Sequence, residues 1–231
     1  ILQMDKAGIR IRLHACGDGA VRFGLDAFEE AQRVNGVRDS RHTLEHLEVI
    51  HPDDLPRLKQ LGVIPSVQPD HLHVKQFVEH PFHISIGEKR SQYAWAFKSM
   101  LNHGAQLALG TDNPISQLDP FTTIYRAVTR LHEDRQPEGG WLPQEKLTVS
   151  ETLKAYTIGS AYLNFREHDL GTLEVGKLAD IIVLDRNLFT VDAEAIREAK
   201  TIFTMMDGNI VYEAGNRISI RGGETNEQKK Y

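Results

Sequence analysis

The chain has one cysteine in 231 residues, Cys16, which excludes an internal disulfide and suits a reducing compartment. Nor does any apolar stretch approach the roughly 20 residues that a membrane helix needs. The opening ILQMDKAGIR lacks the long apolar segment of a signal peptide, so the expected location is cytoplasmic. There is no dense run of Lys or Arg, and the formal net charge is -5. The electrostatic footprint of a nucleic-acid or anionic-membrane binder is therefore missing. What is present is ordinary globular composition, 40% hydrophobic and 26% charged, enough for one large core or two smaller ones. Chemistry on a small-molecule substrate is the expectation that remains.

Three apolar runs each stop on a potential metal ligand. IRIRLHACGDG ends at His14, RHTLEHLEVI carries His46, and AQLALGTDNP ends at Asp112. Continuous apolar runs of this length suit parallel strands buried on both faces, and enzymes built on such strands place their chemistry at the carboxyl ends. GVIPSVQP, bounded by prolines, makes a further strand ending near Gln68. Helical periodicity fills the intervals. Val21, Leu25, Phe28 and Ala31 share one face, with Asp18 placed as cap and Gly36 as stop. Leu55, Leu58 and Leu61 mark a second helix, Phe97, Met100 and Leu101 a third, and Asp119-Pro120 opens a fourth. Thr148 and Glu151 have capping-box spacing ahead of ETLKAYTIGSAYL.

Four strands alternating with helices predict α/β architecture with parallel pairing. After Leu163 the pattern changes to short strands and turn glycines, GTLEVGKLADIIVLD and TIFTMMDGNIVYEAG, which predict a separate small β-unit. The expected division is residues 1–165 and 166–231, the latter ending in the polar, frayed RGGETNEQKKY.

Imidazole nitrogen and carboxylate oxygen are the ligand set for Zn²⁺ or a related divalent ion that keeps one position open for water. His14, His46 and Asp112 are the expected metal ligands, spaced by whole βα units so that they converge on one rim. His42 and His46 fall on the same side of their strand, and His46 is preferred because it lies nearer the end. Glu45 would point the other way. Gln68 and His71 are expected to touch substrate, and Trp95 and Arg130 either shape the pocket or pack elsewhere. The remaining loop histidines, His73, His80 and His83, are read as solvated, Cys16 as packing, and the β-unit as lending stability or the contacts of a homodimer.

HACGDGAVRFGLDAFEEA, RHTLEHLEVI, GVIPSVQPDHL, ALGTDNPISQLDPFTTIYRAVTR, ETLKAYTIGSAYL and GTLEVGKLADIIVLD, in this order, resemble the metal-dependent amidohydrolase superfamily, in the branch that includes N-substituted formamide deformylase. The resemblance implies a (β/α)₈ barrel with a composite β-sandwich, His14 on strand five, His46 on strand six and Asp112 on strand eight. Asp112 would then be both metal ligand and general base. Members also carry a His-x-His pair on strand one and a further ligand near strand four, and this chain begins after both. It is accordingly expected to hold the C-terminal half of the barrel and the distal part of the sandwich, with a missing N-terminal half as its partner. The expected function is metal-dependent hydrolysis of non-peptide C–N bonds, with one or two ions, zinc foremost, in the full-length enzyme. The fragment alone would be inactive, its metal occupancy in doubt. The competing reading is a non-catalytic binding or regulatory protein on the same scaffold, and a third is an unrelated doubly wound α/β protein.

Overall fold

Four short strands, β1 (Arg12–Ala15), β2 (Thr43–His46), β3 (Ile64–Val67) and β4 (Ala108–Leu109), pair in the order β1-β2-β3-β4, every pair parallel. The structure is a computed structural model, and it describes residues 1–72, 74–76 and 81–215. His73, His80 and the polar end of the chain lie outside the described residues. Each strand is followed by a helix: Asp18–Asn35, Leu55–Gln60, Phe97–Asn102 and Pro120–Thr129. Spatial order equals chain order, which is half of a (β/α)₈ barrel. Within the described sheet β1 and β4 each have one neighbour, so it presents two open edges.

The helices form where the apolar spacing predicts. Val21, Leu25, Phe28 and Ala31 are buried, and Gly24 lets the helix close onto β2, since a Cβ there would lie 2.6 Å from Leu44 Cδ2. Asp18 is not the cap. Gly17 holds the extended cap position, while the Asp18 carboxylate accepts from the Gly19 N–H and pairs with Arg90 at 2.5 Å. Asp119 caps the fourth helix by accepting from Phe121 N–H at 2.9 Å, and the Thr148-Glu151 capping box forms in full. The segment beyond it divides into Val149–Lys154, a wide π-turn at Ala155–Gly159, and Ser160–Leu163. Close approach explains the glycine in that turn, because a Cβ at Gly159 would sit 2.1 Å from the Leu107 carbonyl oxygen. His83, expected in a loop, lies in the short helix Pro81–Ser85.

The second sheet is antiparallel, β5 (Ile181–Leu184), β6 (Thr201–Met206) and β7 (Asn209–Glu213) in that order. Leu188, Ile196 and Ala199, between β5 and β6, pack on Phe121, Ile124 and Tyr125. The Tyr125 hydroxyl donates to Glu194 at 2.5 Å. Arg41 ties the chain beyond Leu163 to the start of β2: it pairs with Glu167 at 2.7 Å and lies 3.7 and 4.0 Å from the ring centroids of Tyr162 and Phe165. No helix among the described residues is long and apolar enough to cross a membrane.

The amino-terminal helix Leu2–Lys6 is held by Asp5, whose carboxylate accepts from Asn35, Arg38 and His42. Burial alone raises this carboxyl, but those hydrogen bonds outweigh it and hold Asp5 below its usual value. His42 is buried on the other side of the contact, stacked on Phe28, with its Nδ1 accepting from Ile11 N–H and its Nε2 donating to Asp5 at 3.0 Å. Burial pushes its pKa below 6.5 despite Asp5. A lowered folded-state pKa means that the unfolded chain takes up the proton first as pH falls. His42 therefore stabilises the fold fully above about pH 6.5 and progressively less below it, by up to about 1.4 kcal/mol per pH unit. Urea midpoints at pH 7.5 and 5.5 check this: the wild-type protein should lose stability, and His42→Gln should lose markedly less. Equal losses would exclude His42 as the source.

Candidate metal centre

Strand alternation decides what β1 offers. Leu13 and Ala15 face the core, whereas Arg12 and His14 project to the opposite, exposed side. Cys16, next in the same parity, brings its Sγ to 3.2 Å from His14 Nε2. On β2, Glu45 is in register with His14 and makes a 3.4 Å ion pair with Arg12, so it stands beside His14 instead of pointing away. By the same period His46 belongs with Leu44, on the side turned toward the helix. It reaches the site because its φ is +79°, which breaks the alternation at the strand end. Such a backbone costs about 1–3 kcal/mol and is concentrated at functional sites. Asp112, three residues past β4, also has positive φ, +56°.

His46 is the hub. Its Nε2 lies 3.0 Å from His14 Nδ1, and its Nδ1 donates to the Gln68 Oε1 at 2.9 Å. Gln68, one residue past β3, is buried and acts on the imidazole, fixing the tautomer that leaves Nε2 free to bind a cation. His71, in the short turn Pro69–Leu72, stacks on His46 with ring centroids 5.6 Å apart. Its Nδ1 is 3.5 Å from Glu48 Oε1 and its Nε2 is 3.8 Å from Asp112 Oδ2. That last separation is too long for a hydrogen bond, and the buried Nε2 has no hydrogen-bond partner among the described residues.

Among the described residues two donor sets arise, His46 with His71 and Asp112, and His14 with Cys16 and His46, each with ligand atoms within 4.8 Å of one another. The expected trio of His14, His46 and Asp112 is thus not one set. His46 belongs to both, with His14 on one side and Asp112 on the other. The donors fit a divalent ion on two counts. The 3.0 Å between the facing nitrogens of His14 and His46 is near the about 3.3 Å that two imidazoles on a tetrahedral ion adopt at ligand distances of 2.0–2.1 Å. The orphaned His71 nitrogen points toward a carboxylate that it does not reach, leaving a gap that a cation would satisfy.

Burial pushes the Cys16 thiol up to about 11, with the Glu48 and Asp112 carboxylates adding to it, so the pocket is electronegative where an ion would enter. Glu48 and Cys16 were not among the expected site residues. Parity could have found Cys16, two residues beyond His14, whereas Glu48 follows the break in alternation at His46 and Leu47 and carries no such signal. Trp95 and Arg130 belong to the core: both are buried, and Arg130 donates to the backbone oxygens of Ala94, Trp95 and Trp141. His42, with its partners at the opposite end of β2, takes no part in the centre.

Comparison with known proteins agrees with this architecture. Residues 1–212 match the Amidohydrolase family. Protein LONG AFTER FAR-RED 3 of Arabidopsis thaliana is 34% identical over 211 residues, covering 90% of this chain and 35% of its own length. N-substituted formamide deformylase of Arthrobacter pascens is 29% identical over 213 residues, 92% of this chain and 38% of its own. A solved structure of an uncharacterized metal-dependent hydrolase from Pyrococcus furiosus superposes with a TM-score of 0.65 at 33% identity, over 80% of this chain and 35% of that one. The chain therefore spans little more than a third of the length of these relatives. Its sequence over nearly all of its length, and the fold that sequence adopts, place it in the amidohydrolase family.

Proposed function

We propose that this chain forms part of a metal-dependent hydrolase that cleaves an amide-type C–N bond in a small, non-peptide substrate. The observation that carries the reading is the convergence of His14, His46, His71 and Asp112 at the carboxyl ends of parallel strands in a chain of this family. His46 would hold a divalent ion together with His14 on one side or with His71 and Asp112 on the other, zinc being the best match to nitrogen and oxygen donors. When bound, such an ion supplies Lewis acidity that polarises a carbonyl and lowers the pKa of water. The chain's own residues do the rest. Asp112 accepts a proton from the attacking water at a carboxylate oxygen and returns it to the departing nitrogen. Gln68 holds the His46 ring in orientation, and His71, stacked on His46 with its Nε2 3.8 Å from Asp112, lies where it would meet the substrate.

The two open sheet edges support a second part of the proposal, that further polypeptide covers β1 and β4 and completes the ligand set. The test is metal analysis of the complete protein beside its His46→Ala variant. Because His46 serves both donor sets, the variant is expected to lose about nine-tenths or more of the bound metal, a 10-fold effect at the low end of what ligand-shell changes produce. Equal metal content in the two proteins would overturn the reading.

A further inference from the structure

We propose that Cys16 is itself a metal ligand: its sulfur, with one ring nitrogen from His14 and one from His46, forms an N,N,S set for a thiophilic divalent cation such as Zn²⁺ or Cd²⁺. The inference rests on the metal-site reading above and adds to it a donor of a different chemical kind.

Three observations carry it. The first is placement by the backbone. Past the end of β1 the ladder to β2 continues, with Leu47 N–H donating to Ala15 at 3.1 Å and Val49 N–H donating to Cys16 at 2.9 Å. The Cys16 Cα is therefore pinned as firmly as a strand residue, and the parity of two sends its side chain to the side of His14. The second is distance. Sγ lies 3.2 Å from His14 Nε2, the ring's other nitrogen faces His46, and one donor atom from each of the three residues falls within 4.8 Å of the other two. The third is the surroundings. A cysteine used as a small hydrophobe is among the most completely buried of residues, whereas Cys16 is only partly buried.

Binding replaces the S–H bond by a sulfur–metal bond, and the proton leaves to solvent. No electron is transferred. The sulfur would bias the centre toward softer ions than a purely nitrogen and oxygen set selects.

Cobalt titration of the complete, metal-free protein tests this by absorbance. Bound Co²⁺ is expected to give visible d–d bands together with a near-ultraviolet thiolate-to-cobalt charge-transfer band. Cys16→Ser should keep the first and lose the second, and bind Cd²⁺ about 10-fold or more weakly. Cys16→Ala, with far-ultraviolet circular dichroism to confirm its fold, should repeat the result. Visible bands without a charge-transfer band in the wild-type protein, or a charge-transfer band that survives in both variants, would overturn the role of Cys16 and leave the metal site standing. An absence of both bands in the wild-type protein would overturn the site as well.

Discussion

Replacing Arg130 by methionine is expected to destabilise the protein by about 3–5 kcal/mol, the cost of disrupting a buried charged network. Arg130 is fully buried, directly after the helix Pro120–Thr129, in a left-handed conformation with φ of +56°. Its guanidinium donates to the carbonyl oxygens of Trp141 at 2.5 Å, Trp95 at 2.9 Å and Ala94 at 3.3 Å. One side chain thus fastens three backbone segments: the start of the β4-following helix's exit loop, the bridge that leads into Phe97–Asn102, and the loop at Trp141. Burial lowers its pKa to about 9, which shows how strongly desolvation acts on it, yet at neutral pH it remains the cation that those carbonyls require. Methionine matches much of the volume but donates no hydrogen bond, so buried carbonyls lose their partner at about 1–3 kcal/mol each. Thermal unfolding should shift down by about 6–20 °C on the scale of about 2–4 °C per kcal/mol for a domain of this size. Arg130→Lys should fall between, since it keeps the charge without the planar fork. A methionine variant within 1 °C of wild type would show that the three contacts are dispensable.

Arg130 also marks where a reading of sequence stops. Its position near the end of an amphipathic helix, among polar neighbours, is what a surface cation looks like, because periodicity reports which face is apolar and not whether a long side chain folds back beneath it. Its true partners are backbone oxygens, which leave no trace in residue identity. The strand ends were legible for the opposite reason: an apolar run that stops on His or Asp is a local pattern, and His14, Asp112 and the parallel order of β1 to β4 follow from it. His46 was legible by position only. Its route into the site depends on a φ of +79° that strict alternation would have ruled out. His46 was separable from His42 by lying nearer the strand end, whereas the partner that claims His42, Asp5 on a helix remote in sequence, was not legible. Gln68 was legible as a residue of the rim, while its contact with His46 needed coordinates.

Asp112→Asn is expected to lower kcat of the complete protein by about 10²–10⁴-fold, the range for removing a general base, with KM changed far less. Asparagine suits the test because it is nearly the same size and tolerates the left-handed backbone, φ +56°, that position 112 adopts. Folding should be unaltered, so lost activity reports on the carboxylate. A carboxylate here could act as base, as ligand or as both, and metal content measured alongside separates them. Asp112 shares a donor set with His46 and His71 but not the one formed by His14, Cys16 and His46. If its role is proton transfer, the variant should retain most of the metal and little of the turnover. If its role is ligation alone, metal and activity should fall together, and added Zn²⁺ should restore both. An asparagine variant that keeps more than half of the wild-type kcat on an amide the protein hydrolyses would remove Asp112 from the chemistry and leave its strand-end position as a turn feature ahead of Pro114.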